Sequence, residues 1–414
     1  MRGKVSSLAR YTLENPSSIR EIMSVVEDYR LHPEKYPREL IYLGGGWPQD
    51  PPMEELREAL CEVAESSELF RFSSRYTPTR GRGDLLELLC SYEKEVFGRS
   101  CESSELMLGC GSTDLTTALM RAVVDSEDTV VVTRPTYLNY SRQLAVAAGL
   151  SPRLVYWNCL HDGRYSPSLD ELQELISERK PSMVIIISPG NPDGKVMPPE
   201  VYEGVADIAE DKGIWLMVDV AYRAFCFSEY PSYYSRGRRE CEIWMCTLSK
   251  EMRAPGWRLG YIIADPELIR AVETIEQAST LAPSSIAQAA LVKLLSREGI
   301  FRRIREFYSK GAERYAGVAA EACQALREAA PEARVLEPDG GFYVFFDASR
   351  YLRSSRELCS RLLSEWQVAL APGVDFGCEG WVRLSYAPVV EEPHKLREAL
   401  ERMKAFFSSL GEGS

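Results

Sequence analysis

The chain has 414 residues, 45% of them hydrophobic and 27% charged, with a net charge of −12. That length allows a large core and more than one domain. The acidic balance disfavours nucleic acid or an anionic membrane as the main partner, while leaving room for a site with its own local charge.

Eleven cysteines are scattered without a C-x-x-C pair, which argues against a zinc site and a secreted disulfide framework. No signal-peptide core opens the chain, and no window approaches the roughly 18 apolar residues of a membrane span, so a cytoplasmic protein is expected. His32, His161 and His394 fall in no motif, which leaves lysine as the better candidate for proton transfer.

Residues 1–18 are polar and read as an irregular arm. From Ser18 a helical pattern places Ile19, Ile22, Val25 and Val26 on one side. Residues 41–48 read as a short strand running into Gly44, Gly45 and Gly46, a turn or a place where backbone approaches a ligand. Residues 52–66 predict a helix, and 75–81 a polar turn carrying Tyr76. An apolar segment at 106–111 ends in Gly111 and leads into a helix that starts at Ser112 and Thr113. Free N–H groups and two hydroxyls there suit either a phosphate or an ordinary hydroxyl cap.

Buried strands are predicted at 129–133, 183–187, 214–218 and 243–246. The first leads to Tyr137, placed to stack on a flat ring or to pack in the core. The second leads to Asn191 between two prolines, where an amide can also simply shape a turn. The third delivers Asp219, a carboxylate that needs a partner, followed by Tyr222. The fourth precedes Thr247, Ser249 and Lys250.

A lysine sheltered at a strand end can have a depressed pKa and act as an amine nucleophile. Arg258, eight residues on, suits a phosphate. Lysine with a phosphate-binding arginine suggests a pyridoxal phosphate Schiff base, although most lysines in such places are solvated. Alternating strands and helices over 80–265 predict an α/β fold with a mainly parallel sheet between helices. Helices follow at 265–278, 286–296 and 299–329. Strands at 340–346, 368–373 and 381–386 and a helix at 391–407 form a smaller α+β domain. Arg383 alternates with apolar neighbours, as a carboxylate-gripping guanidinium or one half of a buried ion pair would.

The run from Thr247 to Tyr261, with S-K-x(4)-P-G-x-R-x-G-Y inside it, resembles the lysine motif of fold-type I aminotransferases, the aspartate aminotransferase superfamily of classes I and II. The likeness extends from about Ile19 to about Met403. The opening at Ser18, Ile19, Arg20 and Glu21 is similar to that of the subgroup with aminoadipate and kynurenine aminotransferases. The resemblance implies a PLP arm-and-two-domain organisation: residues 1–48 as an arm joining the small domain, 49–285 as the large cofactor domain, 286–414 as the small domain.

It further implies a role for each motif residue. Lys250 holds pyridoxal 5'-phosphate as an imine and then acts as the base. Asp219 keeps the ring nitrogen protonated, Tyr137 covers the ring, and Asn191 and Tyr222 contact the ring hydroxyl. Ser112, Thr113, Thr247, Ser249 and Arg258 fix the phosphate, joined by Tyr76 from a second chain of a homodimer. Gly46 and Arg383 receive the substrate carboxylate, beside Asn191. The implied reaction moves the amino group of an L-amino acid to a 2-oxo acid, with 2-oxoglutarate the expected acceptor. A carbon–sulfur β-lyase shares these residues. A non-catalytic cofactor-binding regulator would need a DNA-binding domain, for which the roughly 45 residues before Gly46 are too few. Arg134 and Asp193 depart from the family pattern, where a small residue and a threonine are expected. Trp47 and Tyr137 suggest room for an aromatic or long substrate side chain.

Overall fold

A computed structural model describes residues 4–16 and 18–411. Seven strands build the central sheet: Leu106–Gly109 (β1), Thr129–Arg134 (β2), Arg153–Asn158 (β3), Met183–Ile187 (β4), Trp215–Asp219 (β5), Glu242–Thr247 (β6) and Gly260–Ile263 (β7). Their order is β1-β7-β6-β5-β4-β2-β3. The ladders β3-β2-β4-β5-β6 are parallel, and β7 runs antiparallel to both neighbours. Between β6 and β7 lie only a four-residue helix and a short 3-10 turn. Without a crossover helix the chain must return antiparallel.

Every residue of β4 and β6 is buried, as strands covered on both faces should be. β3, at the sheet edge, mixes exposed and buried positions, and its sequence gives no clean strand pattern. Gly260 on β7 must be glycine, because a Cβ there would sit 2.9 Å from the Cys246 carbonyl and 3.0 Å from the Ser112 nitrogen. This close approach sets the helix Ser112–Val123 directly against the β6–β7 pair.

A second sheet is antiparallel throughout: Arg334–Leu336 (β8), Tyr343–Asp347 (β9), Ala371–Pro372 (β10) and Trp381–Ser385 (β11), in the order β8-β9-β11-β10. The single strand expected over 368–373 is split. Val368–Ala369 pairs in parallel with Ile41–Tyr42, whereas Ala371–Pro372 pairs with β11. The 30-residue helix Ile300–Ala329 packs against the closing helix Pro393–Gly411. One buried apolar cluster runs without a break from the central sheet to Val344 of β9 and Leu384 of β11.

The arm is not irregular, contrary to the expectation for 1–18. Ser7–Glu14 is a helix, capped by the Ser6 hydroxyl accepting from the Ala9 N–H at 3.1 Å. None of its residues is buried, but the segment is amphipathic, so a helical signal was present beneath its polar composition. Ser18–Leu31 is helical, with Ile22 buried; Ile19 and Arg20 have side chains outside the described residues.

Candidate active site

The carboxyl ends of β2, β4, β5 and β6 open onto one cleft of about 290 Å³. Ligands bind in that position in α/β sheets generally. The cleft wall contains Gly46, Ser112, Thr113, Tyr137, Asn191, Asp219, Tyr222, Thr247, Ser249, Lys250, Arg258 and Arg383. The fold therefore gathers every sequence-nominated residue except Tyr76.

Lys250 occupies the short helix Leu248–Glu251 that follows β6. Thr247 caps this helix, its hydroxyl accepting from the Ser249 N–H at 3.3 Å. The lysine tip reaches the cleft but is otherwise surrounded by protein. Burial brings its pKa down to about 8, Arg258 and Arg383 push in the same direction, and Asp219 pulls against them. A substantial fraction of this amine is neutral at mild pH, as a nucleophile or base requires.

Asp219 ends β5, is buried, and has no arginine partner among the described residues. Its Oδ2 accepts from the Tyr140 hydroxyl at 2.8 Å and its Oδ1 from the Ala221 N–H at 3.0 Å. Burial raises its pKa, and these two bonds offset the rise only in part.

Arg383 comes from β11 in the second sheet. It is 1% exposed, with the cation sandwiched by the rings of Tyr343 and Phe376 at 4.5 and 4.7 Å. Nη1 donates to Asn191 Oδ1 at 2.8 Å and Nη2 to the Gly44 carbonyl at 2.7 Å, while Nε has no partner. No carboxylate pairs with it among the described residues. Asn191 in turn donates to the Tyr222 hydroxyl at 3.0 Å, and Tyr222 bonds the Tyr343 hydroxyl at 2.9 Å. A buried cation without a counter-ion is costly, so this one calls for an anionic ligand.

Arg258 marks the other anion corner. Its guanidinium donates to the carbonyls of Cys110 and Pro255, and among the described residues no carboxylate pairs with it. It lies against Gly111, at φ +91°, where a Cβ would be 2.7 Å from Nη2. A glycine there allows the cation to rest beside the start of the helix that carries Ser112 and Thr113. Helix N–H groups, hydroxyls and a guanidinium together suit a phosphate.

Tyr76 stands apart. It is 84% exposed and lines a separate depression with Phe72 and Ser285. Phe70, Phe72, Leu281 and Ile286 are exposed as well. Sequence reasoning missed Tyr140 and Tyr343. Tyr140 opens the helix Tyr140–Ala148 three residues after Tyr137, with ring centroids 5.5 Å apart, so the Y-x-x-Y spacing was a usable signal. Tyr343 pairs in register with Ser385 across β9 and β11, a long-range fact with no local signal.

The residues after Tyr222 and Lys250 form a buried ionic cluster behind the cleft. Arg223 donates to Glu251 at 2.7 Å and to both oxygens of Glu93, at 3.0 and 2.5 Å. All three side chains are at most 1% exposed. Asp193, where the family pattern has threonine, is buried against Gly190 and accepts from the Lys195 N–H at 3.1 Å. Burial pushes its pKa up to about 7. Arg134 donates to Asn158 at 3.3 Å, and its stem covers Gly377.

The model of the family described as aminotransferase class I and II matches residues 38–403. An aspartate/prephenate aminotransferase of Thermus thermophilus is 29% identical over 366 residues, 88% of this chain and 90% of its own. An aspartate aminotransferase of Pyrococcus horikoshii is 28% identical, over 88% of this chain and 90% of its own. A solved structure of the Thermus thermophilus aspartate aminotransferase with maleate superposes with a TM-score of 0.83 at 27% identity, covering 98% of this chain and 100% of the other. The chain therefore belongs to the class I and II aminotransferases, pyridoxal phosphate-dependent enzymes that transfer amino groups.

Proposed function

We propose that this cleft holds pyridoxal 5'-phosphate and moves the amino group of an L-amino acid to a 2-oxo acid, with 2-oxoglutarate as acceptor. The observation that carries the reading is a buried lysine sharing one cleft with two guanidinium groups, Arg258 and Arg383, that lack carboxylate partners among the described residues; burial lowers its pKa to about 8. The donor set fits the cofactor: an anion corner at Ser112, Thr113, Thr247, Ser249 and Arg258, a buried carboxylate at Asp219, and aromatic cover from Tyr137. Bound there, pyridoxal phosphate supplies an aldehyde that exchanges amines and a ring that accepts the electrons of a breaking C–H bond.

The protein does the rest. Arg383 grips the substrate α-carboxylate with the N–H groups not already used, and the Gly46 backbone flanks it. Asn191 and Tyr222, bonded to each other, present an amide and a hydroxyl to the cofactor hydroxyl. Asp219, held by Tyr140, presents an acceptor to the ring N–H. Lys250 Nζ provides the anchoring amine, then removes the proton from the substrate Cα. Trp47, Leu138 and Tyr137 leave space for an aromatic or long side chain. Eleven free cysteines suit a reducing compartment, the cytoplasm, and no described helix is long and apolar enough to cross a membrane.

A panel of amino donors with 2-oxoglutarate, read together with the absorbance of the bound cofactor, tests this. Stoichiometric glutamate and the donor's 2-oxo acid are expected. Pyruvate and ammonia released from a cysteine conjugate without any acceptor would assign a β-lyase instead.

The reading also includes a homodimer whose second chain lends Tyr76. Since Tyr76 is solvent-exposed within one chain, Tyr76→Phe is expected to leave the Tm of the cofactor-free protein unchanged. Loss of one charge-assisted hydrogen bond should weaken cofactor retention by roughly tenfold or more, measured by equilibrium dialysis. Unchanged retention would remove Tyr76 from the site.

A further inference from the structure

The chain that brings Gly46 and Trp47 to the cleft is anchored at both ends. At its start, Leu43 bonds Ala369 and Ser385 through its backbone, and the Gly44 carbonyl accepts from Arg383. Past Trp47 the next polar anchor is Asp50, which is 3% exposed. Its carboxylate accepts from Arg253 Nε at 3.2 Å, Arg314 Nη2 at 2.9 Å and the Tyr315 hydroxyl at 2.7 Å. Among the described residues, the hydrogen bonds of residues 44–50 run through the Gly44 carbonyl and Asp50 alone.

Arg253 belongs to the lysine's own turn. Its N–H donates to the Lys250 carbonyl at 3.2 Å and its Nη1 to the Glu251 carbonyl at 3.0 Å. Its guanidinium is fixed between the rings of Phe225 and Phe307, at 4.4 and 4.5 Å. It also fills the space above Gly311, where a Cβ would lie 2.3 Å from Nη2. Arg253 is therefore a rigid post, and Asp50 is the group from the Gly46 segment that ties to it.

We infer that Asp50 is a positioning residue: through Arg253 it fixes the Gly46–Trp47 wall, on the substrate-carboxylate side of the cleft, relative to Lys250. The inference rests on the function proposed above. It separates two properties of the site. The lysine turn has a second, independent hold in the Glu251–Arg223 pair, so it stays in place without Asp50. The wall has no other polar hold at that end among the described residues, the next fixed point being the apolar packing of Met53. Loosening it should cost substrate binding and spare the cofactor.

The test is a kinetic split in the full-length holoenzyme. Asp50→Asn is expected to raise KM for the amino donor about tenfold, the worth of one charge-assisted hydrogen bond, with kcat within about twofold. The absorbance and pH profile of the bound cofactor should match wild type. Glu242→Gln serves as the control. Glu242 is equally buried and paired with Arg236 at 2.6 Å, but lies at the opposite end of β6. It should lose stability without moving KM.

If Asp50→Asn does not fold, Arg314→Ala removes one donor from a half-exposed partner and should raise the same KM about threefold. An unchanged KM in either Asp50→Asn or Arg314→Ala, or an equal rise in Glu242→Gln, overturns the inference. So does an altered cofactor spectrum in Asp50→Asn. A wild-type enzyme that transfers no amino group would instead fail the underlying function.

Discussion

Lys250→Ala is expected to lose at least about 10⁴-fold in amino transfer and, in the cofactor-free protein, to gain stability at pH 7. The second half of this prediction separates loss of chemistry from loss of fold. Burial and two nearby guanidinium groups hold the Lys250 amine at about 8, against roughly 10.4 for an unfolded lysine. Between these values the unfolded chain binds more protons, so the lysine's burden is full below pH 8 and fades as pH rises toward 10.4. Alanine removes it. Allowing for partial exposure at the cleft, the gain is on the order of 1–3 kcal/mol, read as a higher Tm at pH 7 than wild type and a vanishing difference near pH 10. The same amine sets how the wild-type protein captures its cofactor. Covalent capture, trapped by reduction and weighed by mass spectrometry, should accelerate with pH through about 8 and be absent in the alanine variant. A variant that retains turnover, or capture independent of pH from 6 to 9, would sink the assignment of Lys250.

The legible part of the site shares one feature. Lys250, Asp219, Asn191 and Tyr137 each follow an apolar run, and a run ending in a polar residue is a local signal of a strand delivering chemistry. Arg383 was legible for a related reason: a cation alternating with apolar neighbours has to be either paired or waiting for an anion. The structure excludes a carboxylate partner for it among the described residues.

What the sequence hid depends on contacts between distant segments. Asp50 meets Tyr315 across 265 positions and Tyr140 meets Asp219 across 79. Neither pairing leaves a periodicity in either segment. The split of residues 368–373 was hidden because both halves are apolar; only the arm at Ile41 and the strand at Arg383 decide which sheet each half joins. The helix at Ser7–Glu14 is amphipathic but short and buries no residue, so its signal was legible and was outweighed by the polar composition of the arm. Arg134, unexplained by the family pattern, gains a role from its bond to Asn158 at the edge strand.

Arg223→Met should destabilise the protein by about 3–5 kcal/mol, and by more at pH 8 than at pH 5. The guanidinium is the shared cation of two fully buried carboxylates, and it also takes a bond with the Tyr261 hydroxyl and stacks 3.6 Å over Phe97. Methionine satisfies the ring and the volume but leaves both charges behind. They are not equivalent. Burial pulls the Glu93 pKa up, but Arg223, Arg99 and Tyr261 outweigh it and hold Glu93 below its usual range. Burial dominates at Glu251, whose pKa stays raised despite Arg223. In the variant Arg99 still lies 3.8 Å from Glu93, whereas Glu251 keeps only the Tyr92 hydroxyl at 2.7 Å among its side-chain partners. Its folded pKa must therefore move further above the unfolded value of roughly 4.3. A raised folded pKa means stability falls as pH climbs from that unfolded value toward the folded one. Denaturant midpoints at the two pH values, each taken against wild type, measure the difference, and the Lys250 contribution cancels because both proteins carry it. Adding Glu251→Gln to Arg223→Met should restore a large part of the loss at pH 8 and little at pH 5, a coupling that a mere packing defect would not produce. Equal losses at both pH values would show that shape, not charge, holds this cluster behind Lys250.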